Sequence, residues 1–269
     1  MAITALNSAA TALSALNTQL DVISINLANA NTMGFKGSRV NFQDLIYMEQ
    51  AQPGTENANG DQRPTGLYVG LGVKASGTQV DFTQGSLLST NRPYDIAIEG
   101  QGFLRVAIEP DRSPSGQGYT RAGNLVLNRD GELVMANDEG RRLDPPITIP
   151  PDAISVTIGT DGRVLVLQPG ALEPAEVGQI QLTVFVNPAG LKQLGENLYV
   201  ESAASGPPIT GNAGEEGRGL IRQGFLEGSN VDPTKELIEL IRAQRSYEMN
   251  SQTIRTADEA LRTISQLRR

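Results

Sequence analysis

The chain has 269 residues and a formal net charge of −8, so it lacks the excess of Lys and Arg that a phosphate backbone requires, and nucleic acid is not an expected partner. It contains no histidine, cysteine or tryptophan and only 4% aromatic residues. Disulfides, thiol and imidazole chemistry and the commonest transition-metal ligand are therefore excluded, and no catalytic, cofactor-binding or metal site is expected.

The first thirty residues repeat leucine every seventh position, at Leu6, Leu13, Leu20 and Leu27. A second apolar series lies at Ala2, Ala9, Leu16, Ile23 and Ala30, so apolar places alternate three and four apart as in a coiled-coil seam. The pattern predicts a helix over about 3–30, roughly 40 Å long at ~1.5 Å per residue, stopping at the Asn- and Gly-bearing run Asn29–Gly34. Its other faces are Ala, Ser, Thr and Asn rather than Glu and Lys, which suits enclosure by neighbouring protein on several sides. Residues 1–35 carry one charge, Asp21, so the basic n-region of a cleavable signal peptide is missing. Asn7, Asn17, Gln19, Asp21, Asn26 and Asn29 break the apolar run well short of the ~20 residues a bilayer span needs, and no membrane insertion is expected.

From Phe35 the character changes. Phe42, Leu45, Ile46 and Tyr47 form a short apolar patch, and Gln50–Pro64 is polar and rich in Gly, Pro, Asn and Gln, which reads as an extended arm. Residues 35–67 are assigned to this connector. Residues 68–228 read as β: Asp95–Ile98 and Phe103–Val106 alternate between glycines, and Asn124–Met135 and Ser155–Leu167 read as hairpins turning at Asp130-Gly131 and Asp161-Gly162. A further strand region is expected over Gln179–Asn187. The run Gly70-Leu71-Gly72-Val73-Lys74-Ala75 matches a dinucleotide-binding fingerprint in letters only, because a strand-like stretch follows where a helix is needed. Asn128, Asp130 and Glu132 are read as turn residues rather than a calcium loop, and Glu215-Glu216 as a solvated acidic tip.

A second helix is predicted over residues 229–269, capped by Asp232 with Pro233 in its first turn, or alternatively started by Ser229. Its heptad runs Leu240, Tyr247, Ile254 and Leu261, with Ala243, Asn250, Ala257 and Ile264 three places on. Asn250 at a seam place would fix register or be a tolerated polar contact. The fold expected is α+β: residues 1–34 and 229–269 form a coiled-coil-like helix pair, with an extended connector and a central all-β domain of hairpins. The candidate assembly residues are Leu6, Leu13, Leu16, Leu20, Ile23, Leu27, Leu240, Tyr247, Asn250, Ile254, Leu261 and Ile264.

The run Asp21–Lys36, ending Asn-Thr-x-Gly-Phe-Lys, resembles the N-terminal motif of the bacterial flagellar rod and hook proteins; its motif residues are Asn26, Asn29, Asn31, Gly34, Phe35 and Lys36. Phe82–Leu87, Asp95–Phe103, Tyr119–Gly123, Gln223–Asp232 and Gln244–Ser251 are similar to further motifs of that family, so the resemblance covers essentially the whole chain. Phe42–Tyr47, Pro64–Leu67 and Glu196–Tyr199 look most like its distal-rod branch. Leu104 and Ile25 depart from it, standing where Phe and Asn are common. The resemblance implies a non-enzymatic axial subunit of the basal body, exported through the flagellar type III apparatus without a cleaved signal peptide. It would polymerise helically into the rod that crosses the periplasm, with proximal rod, hook, P-ring and L-ring proteins as partners. The alternatives are a hook or proximal rod protein, or a soluble β-domain binding protein with a helical stalk.

Overall fold

A computed structural model describes residues 2–54, 62–113, 115–170 and 173–267. The side chains of Ala2, Ile3, Ile264, Ser265 and Leu267 also lie outside the described set. The chain forms two compact units, one of residues 1–28, 38–80 and 232–269, the other of residues 29–37 and 81–231.

The helical unit contains α1 (Ala2–Ala28), β1 (Ser38–Asp44), β2 (Tyr47–Ala51), β3 (Leu67–Gly70), β4 (Val73–Val80) and α2 (Pro233–Leu267). β1 pairs antiparallel with β4, and β2 with β3. Leu45 N–H donates to Gly72 O and Leu71 N–H to Ile46 O, so the two pairs form one continuous ribbon with a break in its middle. About half of the described residues of the segment expected to be an extended connector are thus paired strand, and from Ser38 on it groups, with β4, with the helices rather than with the β domain. Alternation is weak in β1 and β2, where most residues stay exposed, and this hid the strands from pattern reading. Within the arm expected at Gln50–Pro64, residues 55–61 lie outside the described residues.

α1 and α2 pack on each other. Asn26, near the end of α1, hydrogen-bonds Glu236 in the first turn of α2 at 3.3 Å, so the helices run antiparallel. The α2 start is the expected one. Asp232 Oδ1 accepts from the N–H groups of Thr234 and Lys235 at 3.0 and 3.4 Å, satisfying donors that have no partner inside a helix.

The β unit contains β5 (Leu87–Ser89), β6 (Ile96–Glu99), β7 (Phe103–Ala107), β8 (Gln117–Thr120), β9 (Leu125–Leu127), β10 (Leu133–Met135) and β11 (Ser155–Ile158). It continues with β12 (Arg163–Leu167), β13 (Ala175–Gln179), β14 (Gln181–Val184), β15 (Lys192–Gly195), β16 (Leu198–Val200), β17 (Ile209–Asn212), β18 (Leu220–Gln223) and β19 (Phe225–Glu227). A six-stranded sheet runs β15-β16-β8-β7-β14-β17, beside a three-stranded sheet β11-β12-β13 and the pairs β9–β10, β6–β18 and β5–β19. The two hairpins fold as read: β9 pairs with β10 around Gly131 at φ +77°, and β11 with β12 around Gly162 at φ +86°. The strand region expected over Gln179–Asn187 contains β14, while Gln179 itself ends β13, which serves a different sheet.

Ile96, Ile98, Leu104, Val106, Leu133, Ile147, Val164, Leu182, Leu198 and Ile221 form the enclosed core of this unit. Beside it Phe82, Phe103, Tyr119, Phe185 and Tyr199 meet edge to face, with ring centroids 4.8–6.0 Å apart. Burial pushes the Tyr119 and Tyr199 hydroxyls up to about 12. The fingerprint-like run at Gly70–Ala75 is the β3–β4 junction, with no helix after it. Asn128 Oδ1 accepts from the N–H groups of Asp130 and Glu132, as turn residues do.

Candidate assembly site

The seam is the first candidate. On α2 the places at Leu240, Tyr247, Asn250, Ile254, Ala257 and Leu261 are half-buried and Ala243 is buried, while most residues between them are exposed. On α1 Ala9 and Ile23 are buried, and Leu6, Leu13, Leu16, Leu20 and Leu27 are half-buried. The Asn250 amide is occupied locally, donating to Ser246 O at 2.9 Å, one turn back along its own helix. The side chain of Ile264 lies outside the described residues.

A second face of α1 packs on the ribbon. Thr11 Oγ1 accepts from Val73 N–H at 3.3 Å. Asn26 accepts from Ser38 N–H at 2.9 Å and donates to Ser38 O at 2.8 Å. Ala15, buried although it is off the heptad, stands one helical turn after Thr11 and shares its face. Part of the small, uncharged surface read as a sign of neighbouring subunits is therefore covered by the chain's own strands. Small residues are needed there because a two-stranded ribbon approaches the helix axis closely.

What these contacts leave uncovered is more informative. Among the described residues of the helical unit, the fully buried ones are Ala9, Ala15, Ile23, Asn26 and Ala243. α2 presents Leu237, Ile238, Ile241 and Met249 with 46–62% of their surface exposed. Ile25 on α1 is 55% exposed. The ribbon shows Phe42, Ile46, Tyr47, Met48, Leu67 and Tyr68 to solvent. Contiguous exposed apolar surface is a common mark of protein–protein contact sites. The cue for the α2 face was present in the run Leu237-Ile238-Glu239-Leu240-Ile241, which is too apolar for a single seam.

The motif residues divide between the units. Asn26 belongs to the helical unit, and Asn29, Asn31, Gly34, Phe35 and Lys36 to the β unit. Asn31 is exposed, and Asn29 Oδ1 accepts from Thr32 Oγ1 at 3.1 Å inside the turn that ends α1. Gly34 holds φ +71°, and a Cβ there would stand 2.7 Å from Ala122 N, so glycine is required on both counts. Lys36 is completely enclosed. Its Nζ donates to Glu227 Oε1 at 2.6 Å and to Thr83 O at 2.7 Å. Glu227 Oε1 also accepts from Gly85 N–H at 2.9 Å, and Oε2 lies 3.3 Å from Arg121 Nε, an ionic contact without hydrogen-bond geometry. Arg121 donates to Gly102 O and Gly100 O. Burial lowers both cations from their ordinary values, with Glu227 opposing the shift in each. Sequence reading singled out Lys36, and placed Arg121 and Glu227 within the motif runs Tyr119–Gly123 and Gln223–Asp232 without giving them a role. The available signal was a charge set among Gly and Phe in Arg121-Ala122-Gly123 and Phe225-Leu226-Glu227-Gly228.

Among the described residues no cluster of acidic side chains is placed to hold a metal ion, and no helix is long and apolar enough to cross a membrane.

Family models match three parts of the chain: residues 6–36 the flagella basal body rod protein model, residues 97–166 the flagellar hook protein FlgE/F/G D1 domain, and residues 222–267 the flagellar basal body rod FlgEFG protein C-terminal model. The chain is similar to the flagellar basal-body rod protein FlgG of Caulobacter vibrioides, 44% identical over 98% of this chain and 99% of that protein. It is 44% identical to FlgG of Buchnera aphidicola subsp. Schizaphis graminum over 96% of each chain, and 39% identical to FlgG of Bacillus subtilis over 94% of each. The heptad helices, the motif at Asn29–Lys36 and this full-length similarity lead to one conclusion: the chain belongs to the FlgG family of flagellar basal-body rod proteins.

Proposed function

We propose that this protein is a structural, non-enzymatic subunit of the flagellar basal body that polymerises helically into the distal rod, the shaft carrying torque across the periplasm to the hook. The observation that carries this reading is the thin burial of the helical unit. Two helices of 27 and 35 residues enclose few side chains between them and leave apolar rows exposed on both helices and on the ribbon. A unit of this kind gains its missing burial by stacking on copies of itself, and a heterologous contact whose rotation does not close yields a filament. The assembly residues Leu6, Leu13, Leu16, Leu20, Ile23 and Leu27 of α1, with Leu240, Tyr247, Asn250, Ile254, Leu261 and Ile264 of α2, form the inner layer of that polymer.

Its partners in this reading are further copies of itself, proximal rod and hook proteins at the two ends, the P-ring and L-ring proteins around it, and the flagellar type III apparatus that exports it. Negative-stain microscopy of the concentrated protein tests the central claim. Straight tubes are expected, and monomers at every concentration would overturn it. A flexible polymer would favour a hook-like subunit. The arm Gln50–Pro64 contacts neighbouring subunits and stiffens the shaft; wild-type bending of filaments formed without it would count against that role.

A further inference from the structure

The segment Asn29–Gly37 belongs to the β unit, although the chain on either side of it, α1 and β1, belongs to the helical unit. It acts as a strap, and its polar partners come largely from the far end of the chain. Gly34 N–H donates to Glu227 O at 2.8 Å, and Gly37 N–H to Asn230 Oδ1 at 2.8 Å. Lys36 finds its counter-charge in Glu227, 191 positions later. Asn230 Nδ2 also donates to Asp81 O at 2.7 Å, and Asp81 N–H donates to Gly37 O at 2.8 Å, so one side chain closes a ring through three separated segments. Apolar burial adds little, because Met33 and Phe35 stay half-buried.

We propose that this strap is a conditional element of the fold, docking only once Phe225–Asn230 has closed over it, so that a chain whose C-terminal segment is not in place leaves the strap, and the links it makes to α1 and β1, unfixed. The charges supply the reason. Without Glu227, docking would enclose the Lys36 ammonium with the Thr83 carbonyl as its remaining hydrogen-bond partner, the Arg121 cation close by, and the Asp81 carboxylate acting on it only at a distance. An enclosed cation without a directly bonded anion is unfavourable enough to keep the strap in water. Gly34, having no side chain, offers no apolar anchor in compensation. Local opening of such a segment is a two-state event separable from unfolding of the core.

Residue-resolved amide exchange on the full-length monomer tests this without requiring polymerisation, so it stands apart from the assembly reading. The reporters are Phe35 N–H, bonded to Thr32 O inside the strap, and Asp81 N–H, bonded to Gly37 O; neither donates to the C-terminal segment. Glu227→Gln is expected to speed their exchange at least tenfold more than that of Leu133 and Ile180 in the core, whose rates follow the stability of the whole unit. Unchanged reporters, or an equal acceleration everywhere, would overturn the proposal. Should Glu227→Gln not fold, refolding of the wild-type chain with pulsed labelling decides it. Phe35 is expected to gain protection together with Gly228, whose N–H bonds Ser86 O, and protection of Phe35 ahead of Gly228 would refute the conditional strap.

Discussion

Glu227 is shared by two cations and enclosed with them, with Lys36 and Glu227 side chains both 0% exposed and Arg121 4% exposed. Removing one member of such a set is far worse than never having built it, because the remaining charges cannot be rehydrated. Glu227→Gln is expected to cost about 3–5 kcal/mol in urea unfolding of the β unit. The pair Arg222–Glu99, whose side chains are 49% and 41% exposed, serves as the control, and Glu99→Gln is expected to cost less than ~1 kcal/mol. Equal losses in the two variants would show that enclosure is not what gives Glu227 its weight. Gly34→Ala meets two obstacles, the positive φ and the Ala122 backbone. It is expected to lose at least about 1–3 kcal/mol, read from the shift in the denaturant midpoint.

Among the elements, α1 is the more constrained helix because both its faces are occupied, one by α2 and one by the ribbon. Ile23 is a buried seam residue of α1, and Ile23→Ala is expected to cost about 2–4 kcal/mol of helical-unit stability, followed by loss of helical circular dichroism ahead of the β transition. Leu13→Asp puts a charge on a half-buried seam place. It is expected to abolish polymerisation while the β unit stays folded, and rods formed by this variant would remove the seam from the assembly surface. The helix pair also carries a pH dependence. Burial raises the Glu236 carboxyl above its ordinary value of 4.5; Asn26 opposes the shift by hydrogen bonding and Glu239 adds to it. Because the folded value exceeds the unfolded one, this contribution is full below about 4.5 and is lost as pH rises through the folded value. The helical unit should therefore be more stable in mild acid than at neutral pH. Glu236→Gln should flatten that dependence and raise the melting temperature at pH 7 by up to about 2 °C, measured by calorimetry.

For the molecule as a whole, the dominant asymmetry is between a β unit with a deep core and a helical unit without one. Assembly through the helical unit has to overcome the mutual repulsion of subunits that each carry a net charge of −8. Raising ionic strength from about 0.01 to about 0.15 M shortens the screening length from roughly 30 to roughly 8 Å. The concentration needed for polymerisation, followed by light scattering, is accordingly expected to fall with added salt. A rise instead would mean that the subunit contacts are dominated by complementary charges rather than by the apolar rows.

The sequence by itself determined the local elements. The heptads of α1 and α2, the Asp232 cap and the Asp-Gly hairpin turns are all legible because each depends on residues within a few positions of one another. The lack of histidine and cysteine likewise fixed what chemistry the chain cannot do. Tertiary structure alone decided the pairing of β1 with β4 and the second face of α1 that buries Ala15. Exposed ribbon strands bury neither face well, so no period-2 signal marks them, and a helix with two partners blurs its own heptad. Nor could local pattern have joined Lys36 to Glu227. That contact spans most of the chain, and its stability comes from an enclosure that only the folded β unit creates.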